Sequence, residues 1–240
     1  MKKLFGILLA GMMLIGSANA QEDVSVGISL DGYSGYIWRG FVIGADDKAA
    51  LQPGIELGFG ESGLTVGGWG SFFVQDRSVL DGVDEVDLYA DYSTTLSEDS
   101  GLGISIGFIE YLFPNGGAGS KHSEEAYVGL SVDHQLAPSL TFYYDFGLAD
   151  AWYLVFSAGI DVPLGEEDGP ALSLGGSVSM SDYGNKTGFS DATATASVSF
   201  GAGAISIAPT VGFSYADSKI NADNSSFWGG ISISFSPGAE

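Results

Sequence analysis

Charged side chains recur at alternate positions within long apolar segments of this 240-residue chain, always on the small or polar side of the alternation. The residues concerned are Asp31, Arg39, Glu56, Asp87, Asp91, Asp133, Asp145 and Asp161. If this side lines an enclosed channel, carboxylates with a single arginine would attract cations and repel anions. Arg39 would then pair with carboxylates of the same lumen, as a structural clamp or as a constriction. The alternative is a filled interior in which these acids hydrogen-bond to Ser, Thr and Tyr.

Catalytic chemistry has few candidate residues, because the chain contains only two histidines. His134 lies on an apolar side, and His122 lies in a polar segment with Ser120 and Glu124. These are residue types of a catalytic triad, but a triad is defined by geometry and not by nearness in sequence. An outer-membrane enzyme is therefore the less favoured alternative. We predict no enzyme activity, no metal site and no cofactor.

Acidic clusters form a second set of charged residues, at positions 46–47, 81–85, 124–125 and 166–168. None has the spacing of a calcium-binding loop. We predict that these clusters lie in solvated loops. The alternative is that external clusters bridge divalent cations at a lipopolysaccharide surface.

The elements that carry these residues have a period of two, which is typical of strands with two different faces. Residues 152–164 show it best, with Trp152, Leu154 and Phe156 on one side and Tyr153, Val155 and Ser157 on the other. About twelve such segments run along the chain, each about as long as a tilted strand that crosses a membrane. No segment keeps a helical period. The fold class is therefore all-β.

The composition of the two sides favours a membrane barrel over a soluble sandwich. The polar side is Gly, Ser, Thr and Ala with almost no Lys, and the apolar side is too extensive for one sandwich core. We predict an antiparallel transmembrane β-barrel of about twelve strands with its apolar side outward. Connections alternate between long and short, except that the one near residues 149–151 is also tight. This alternation predicts that both the N- and C-termini are periplasmic.

The overall charge excludes several classes of protein. The chain has 30 Asp+Glu against 8 Lys+Arg, a formal net charge of −22 and a pI near 4.1, which argues against nucleic acid as a partner. Its 45% apolar residues and mean hydropathy of +0.22 are too high for a disordered acidic tail. The absence of cysteine excludes disulfides and thiol chemistry.

The first twenty residues have the features of an export signal. Lys2 and Lys3 precede a short apolar run, and Ala18 and Ala20 form a small-residue cleavage pattern. We predict a signal peptide at residues 1–20 and a barrel domain at residues 21–240. Export of a barrel places it in the outer membrane of a Gram-negative bacterium. The expected partners are outer-membrane lipid, lipopolysaccharide, periplasmic chaperones, the barrel assembly machinery and small solutes.

Short motifs in the first three predicted strands resemble those of the TorF-like porin family. The motif residues are Tyr36, Trp38, Arg39, Gly40, Pro53, Gly68, Trp69, Gly70 and Ser71. The resemblance covers the signal peptide and these three strands. It implies an outer-membrane β-barrel with a channel role.

Together these patterns predict a porin, a passive diffusion channel for small solutes with a preference for cations. The alternative outside the enzyme class is a non-conducting barrel with a structural or surface-interaction role.

Overall fold

Twelve antiparallel strands form a closed barrel, which confirms the predicted fold class and strand number. The computed structural model describes residues 24–43, 48–74, 84–116, 122–165, 169–220 and 225–237. The predicted signal peptide and the acidic residues at 46–47, 81–83 and 166–168 lie outside the described residues. Within the described ranges, no helix has the length and hydrophobicity needed to cross a membrane.

The structure contains fourteen strands in the described part of the chain, of which β2 and β3 form a separate two-stranded sheet. The strands are β1 (Val24–Tyr33), β2 (Tyr36–Trp38), β3 (Phe41–Ile43), β4 (Ala50–Phe59), β5 (Leu64–Phe73), β6 (Glu85–Ser97), β7 (Leu102–Leu112), β8 (His122–Val132), β9 (Ser139–Asp145), β10 (Ala151–Pro163), β11 (Ala171–Ser181), β12 (Gly188–Ala202), β13 (Ile205–Ala216) and β14 (Ser225–Phe235). Two single 3-10 turns, Gly60–Ser62 and Tyr183–Asn185, lie in connections. The barrel closes where β1 pairs with both β14 and β4.

The alternation of the sequence becomes the two surfaces of the barrel wall. Large apolar side chains such as Ile55, Phe156 and Ile231 are exposed on the outer surface. Their neighbours of opposite parity, such as Glu56 and Ser157, are buried inside. This inversion is the pattern of a barrel that meets lipid on its outer surface.

The interior differs between the two ends of the barrel. We call the end that carries the connection from β1 to β4 and the connection from β5 to β6 the long-loop end, and the opposite end the short-turn end. Towards the long-loop end, inward residues such as Ser71, Glu125 and Ser181 are fully buried. Towards the short-turn end, inward residues such as Ser173 and Thr195 are partly exposed. The interior is therefore closely packed towards the long-loop end and partly exposed towards the short-turn end.

The first connection fills the long-loop end. The sequence pattern predicts that Tyr36 and Trp38 continue the first barrel strand, and this prediction is wrong. Strand β1 ends at Tyr33, and β2 and β3 form a hairpin that is hydrogen-bonded only to itself among the described strands. We call residues Tyr36–Ile43 the inner hairpin. Because Tyr36 and Trp38 keep the parity of the apolar residues of β1, such as Ile28 and Leu30, the pattern alone could not show that the chain leaves the wall.

Pro53 marks an interruption in the wall between β4 and β5. A proline has no N–H to donate to a strand ladder, and the pairing of β4 with β5 has a gap at this residue. At the same level, Gln52 Nε2 donates to Ser71 Oγ across 3.3 Å. A side-chain hydrogen bond therefore joins the two strands where the backbone bond is missing.

The assignment of the two surfaces predicts opposite effects for neighbouring residues in β11. Leu174 is 43% exposed on the outer surface, and Ser173 faces the open half of the lumen. We expect Leu174→Arg to destabilise the barrel in lipid by about 2 kcal/mol, because a charge on the lipid side loses its hydration. Ser173→Arg should cost much less. Urea unfolding in lipid vesicles measures both, and equal losses would contradict the assignment.

Candidate functional site

The tip of the inner hairpin is a tight turn made by Arg39 and Gly40. Trp38 pairs with Phe41, so only these two residues connect the strands. Both have positive φ, 50° at Arg39 and 80° at Gly40, as a type I′ hairpin turn requires. A Cβ on Gly40 would lie 2.8 Å from Asp191 Cβ and 2.9 Å from Ala216 Cβ. Glycine at this position thus lets the hairpin tip approach the wall, and Arg39 at the tip lies in the lumen.

Arg39 forms a bidentate ion pair with Glu125 on the inner face of β8. Its Nη1 donates to Glu125 Oε2 across 2.7 Å, and its Nη2 donates to Oε1 across 2.6 Å. The side chains are 9% and 0% exposed, respectively. Tyr111 also donates to Glu125 Oε1, across 3.0 Å. The pairing of Arg39 with a carboxylate is as predicted, but Glu125 is not among the predicted lumenal acids.

Aromatic rings enclose the remaining faces of the guanidinium. Arg39 Cζ lies 4.6 Å from the ring centroid of Trp38, 4.5 Å from that of Tyr143 and 4.6 Å from that of Tyr153. Cation–π attraction is significant within about 6 Å of the centroid. Arg39 Nη1 also donates to Tyr183 Oη across 2.7 Å. The cation therefore has two acceptor groups, Glu125 and Tyr183, and three aromatic rings around it.

Tyr183 belongs to the connection between β11 and β12. Burial raises the pKa of the Tyr183 phenol, and the nearby positive charge of Arg39 offsets only part of this rise. The phenol is therefore neutral at physiological pH and accepts the hydrogen bond from Arg39.

Two repeated rows of residues hold lumenal carboxylates further along the wall. In the first row, Glu56, Gly67 and Tyr89 lie side by side on β4, β5 and β6. The Tyr89 ring crosses the glycine, where a Cβ would lie 2.3 Å from the ring, and its hydroxyl donates to Glu56 across 3.0 Å. The glycine leaves space for the tyrosine to reach a carboxylate two strands away.

The second row repeats this arrangement on β6, β7 and β8. Asp91, Gly107 and Tyr127 are cross-strand neighbours, and Tyr127 donates to Asp91 across 2.7 Å. A Cβ on Gly107 would lie 2.2 Å from the Tyr127 ring. The predicted alternative, acids hydrogen-bonded to neighbouring hydroxyls, thus describes these carboxylates.

Three further lumenal acids have hydroxyl partners or unsatisfied oxygens. Tyr36 donates to Glu85 across 3.2 Å, and Ser232 donates to Asp31 Oδ1. Asp87 Oδ1 and Asp31 Oδ2 are buried without a hydrogen-bond partner among the described residues. A hydroxyl group donates a hydrogen bond to a carboxyl oxygen but adds no positive charge. The lumen around these three acids therefore stays rich in hydrogen-bond acceptors.

The structure places the predicted pore-lining residues at different levels of the barrel. Asp31, Glu56, Asp87 and Asp91 lie on the inner wall, and Arg39 lies at the hairpin tip instead of on the wall. Asp145 is buried but ties down the β9–β10 turn, accepting from the backbone N–H groups of residues 147 and 149. Asp161 is exposed on the inward side near the short-turn end, and Asp133 lies just beyond β8 in a turn.

Three lumenal acids are missing from the prediction: Glu85, Glu125 and Asp191. Glu85 and Glu125 belong to acidic clusters predicted as solvated loops, and this prediction is wrong because they are 6% and 0% exposed on strands. Asp191 is 1% exposed on β12 and accepts from Tyr153 and Ser179. With the strand ends placed correctly, these three acids fall on the inward side of the alternation. That position is the sequence signal that could have found them.

The motif residues that carry the family resemblance meet around the inner hairpin. The Tyr36 ring lies 5.6 Å from the Trp69 ring, joining the first motif to the third. Ser71 is fully buried and accepts from Gln52, beside Pro53. These contacts give the motif a physical role, which is to seat the hairpin against β4 and β5.

The histidines lie away from the lumen. His134 is exposed in the turn after β8, and its Nδ1 accepts from the N–H of Leu136. His122 Nδ1 lies 3.3 Å from Glu110 Oε1 and 3.1 Å from Glu124 Oε1 on the outer side of β7 and β8. Within the described ranges, this is the group whose ligand atoms could hold a metal ion. Ser120, the third predicted triad type, lies outside the described residues.

Comparison with solved structures gives the class of protein. The KdgM porin matches 87% of this chain and 98% of its own, with TM-score 0.59 and 12% identity. The NanC porin matches 88% of this chain and 98% of its own, with TM-score 0.55 and 14% identity. LpxR from Salmonella typhimurium matches 88% and 99%, with TM-score 0.54 and 10% identity. The fold is that of outer-membrane porin-type barrels.

Comparison with sequence families then identifies the particular family. The chain belongs to the Gcw_chp family, described as a bacterial protein of unknown function, which matches residues 16–235. Among proteins with curated descriptions, none matches this sequence. These findings confirm the porin-like barrel that the resemblance implies, and the TorF-like family itself stays a prediction.

The hairpin tip provides a test of its docking against the wall. Gly40→Ala should destabilise the folded barrel by about 1–3 kcal/mol, because the new methyl group overlaps Asp191 and Ala216. Gly35→Ala is the matched control, since a Cβ there meets nothing within 4 Å. Urea unfolding in vesicles gives both values. Equal stability of the two variants would show that the tip does not contact the wall.

The buried ion pair should show strong coupling in a double-mutant cycle. Glu125→Gln leaves the buried guanidinium of Arg39 without a counter-charge, and we expect a loss of about 3–5 kcal/mol. Adding Arg39→Met to that variant should recover at least about 1 kcal/mol, because the unpaired charge is then gone. The measurement is the free energy of unfolding of the wild type, both single variants and the double variant. Strict additivity would mean that the two groups are not in contact.

Proposed function

We propose that this protein is a passive diffusion channel of the outer membrane for small solutes and that it prefers cations. The observation that carries the proposal is the charge of the enclosed wall. Nine carboxyl residues of the described strands lie on the inner side: Asp31, Glu56, Glu85, Asp87, Asp91, Glu125, Asp145, Asp161 and Asp191. The basic side chains of the described part that are at least nine-tenths enclosed are Arg39 and Lys48. Carboxylates that line a lumen attract cations and repel anions.

The route for solutes follows from the two halves of the lumen. Small inward residues such as Ser173, Gly175 and Thr195 leave room towards the short-turn end. The inner hairpin occupies the long-loop end and forms the constriction. Solutes pass either beside the hairpin or when it moves away from Glu125.

The location and orientation extend the same proposal. The barrel fold and its apolar outer surface support the outer membrane, with residues 1–20 removed on export and both termini periplasmic. Outer-membrane lipid, lipopolysaccharide and the chaperone and assembly machinery are then the partners of the chain. The TorF-like resemblance supports this assignment through the motif residues around the hairpin.

A non-conducting barrel and an enzyme are the two alternatives to a channel. A non-conducting barrel is the second candidate, and the specific observation in its favour is that the hairpin fills the long-loop end. An enzyme is not proposed, because Arg39 and Glu125 satisfy each other and His122 lies on the outer side with its carboxylate neighbours.

Planar-bilayer recording in a gradient of KCl tests the channel and its selectivity together. We expect a reversal potential of the cation-selective sign. Asp91→Asn should reduce this potential, because it removes a lumenal carboxylate, whereas Asp99→Asn in the exposed β6–β7 turn should leave it unchanged. Gly40→Ala should raise the conductance several-fold by displacing the hairpin. An anion-selective potential would contradict the cation preference, and no conductance from either the wild type or Gly40→Ala would favour the non-conducting barrel.

A further inference from the structure

The contacts of Arg39 come mostly from the barrel wall and not from the hairpin that carries it. Glu125, Tyr143 and Tyr153 belong to β8, β9 and β10, and Tyr183 follows β11. Trp38 is the contact that the hairpin itself supplies. We call Glu125, Tyr111, Tyr143, Tyr153 and Tyr183 the wall cage. Without the hairpin, the wall cage would still present a carboxylate, two aromatic faces and a hydroxyl acceptor to a cation.

We propose that the wall cage is a binding site for small organic cations of the guanidinium class, which Arg39 occupies as an intramolecular ligand. A free guanidinium solute would compete with Arg39 for the site and release the inner hairpin. The role of this binding in permeation rests on the proposed channel function. The binding itself does not depend on conduction.

The carboxylate geometry selects the chemical class of the ligand. Glu125 accepts two parallel hydrogen bonds, across 2.6 Å and 2.7 Å, from two nitrogens of one planar group. This fork-to-fork arrangement suits a guanidinium, whereas an ammonium is a compact charge without a fixed fork. Tyr111 holds Oε1 of Glu125 from the other side across 3.0 Å. The carboxylate is therefore oriented by the wall before any ligand arrives.

The aromatic part of the wall cage is also fixed by the wall. Tyr143 and Tyr153 are direct cross-strand neighbours, and their ring centroids are 6.2 Å apart. The hydroxyl of Tyr153 donates to Asp191, which holds the ring against β12. Rigid aromatic faces favour a polarisable organic cation, whereas Ca²⁺ and Mg²⁺ require several oxygen ligands. The site thus favours an organic cation over an inorganic one.

The attachment of the hairpin allows Arg39 to be displaced. Strands β2 and β3 have three residues each and pair only with each other among the described strands. A lone two-stranded hairpin is marginally stable. Its withdrawal breaks the contacts of Arg39, the hydrogen bond from Tyr36 to Glu85 and the packing of the hairpin against Trp69 and its neighbours, but no backbone pairing of the barrel. A tethered group acts at an effective concentration of about millimolar, which a free solute can match.

The test uses methylguanidinium as the probe and methylammonium as its comparison, with binding measured by calorimetry on the folded full-length barrel in detergent. Arg39→Ala empties the site and should bind methylguanidinium at least tenfold more tightly than the wild type does. It should also bind methylguanidinium at least tenfold more tightly than methylammonium. Adding Glu125→Gln to Arg39→Ala should abolish the binding. Adding Asp161→Asn instead is the matched control, because it removes an exposed acid near the short-turn end and should leave binding intact.

Several results would overturn the inference. These are a folded Arg39→Ala barrel without saturable methylguanidinium binding, binding that survives Glu125→Gln, and equal binding of the two probes. If Arg39→Ala does not fold alone, its refolding yield, read from heat-modifiable migration on a gel, should rise with millimolar methylguanidinium and not with methylammonium. No such rise would count against the site.

The outcomes also separate the site from the channel. Binding without conductance in bilayers would keep the wall cage and remove the proposed channel. Cation-selective conductance without binding would keep the channel and remove the wall cage as a guanidinium site.

Discussion

A buried guanidinium determines how the rest of the lumen is arranged. Removing a charge from water costs several kcal/mol unless it is paired and hydrogen-bonded. Arg39 meets this requirement with a bidentate bond to Glu125, a bond to Tyr183 and three aromatic faces. Those partners come from the neighbouring strands β8, β9 and β10, one connection and the hairpin itself, so the site exists only where the hairpin lies against these strands. In turn, the site fixes the inner hairpin at the long-loop end.

The glycine content of the wall has a matching physical reason. In the two acid–glycine–tyrosine rows, Gly67 and Gly107 leave the space in which a tyrosine ring lies flat across a neighbouring strand. Each ring carries its hydroxyl to a carboxylate two strands away. The acids are therefore held in place by neutral donors.

The apolar and polar halves of the composition are also separated in space. Large apolar residues cover the outer surface, and the enclosed acids lie on the inner wall or at the loop end. The hairpin then divides the lumen into a filled half and an open half. The arginine of the chain itself lies in the filled half, paired with Glu125.

The sequence by itself determined the fold class, the number of barrel strands and the parity that puts Glu56, Asp87 and Asp91 inside, because a strand period of two directly records two environments. It also predicted that Arg39 pairs with a carboxylate. Only the tertiary structure decided which one. The partner Glu125 is distant in sequence, and its alignment with Arg39 depends on cross-strand register and on the inward fold of the hairpin. Neither leaves a local pattern, since Tyr36 and Trp38 keep the parity of the apolar residues of β1.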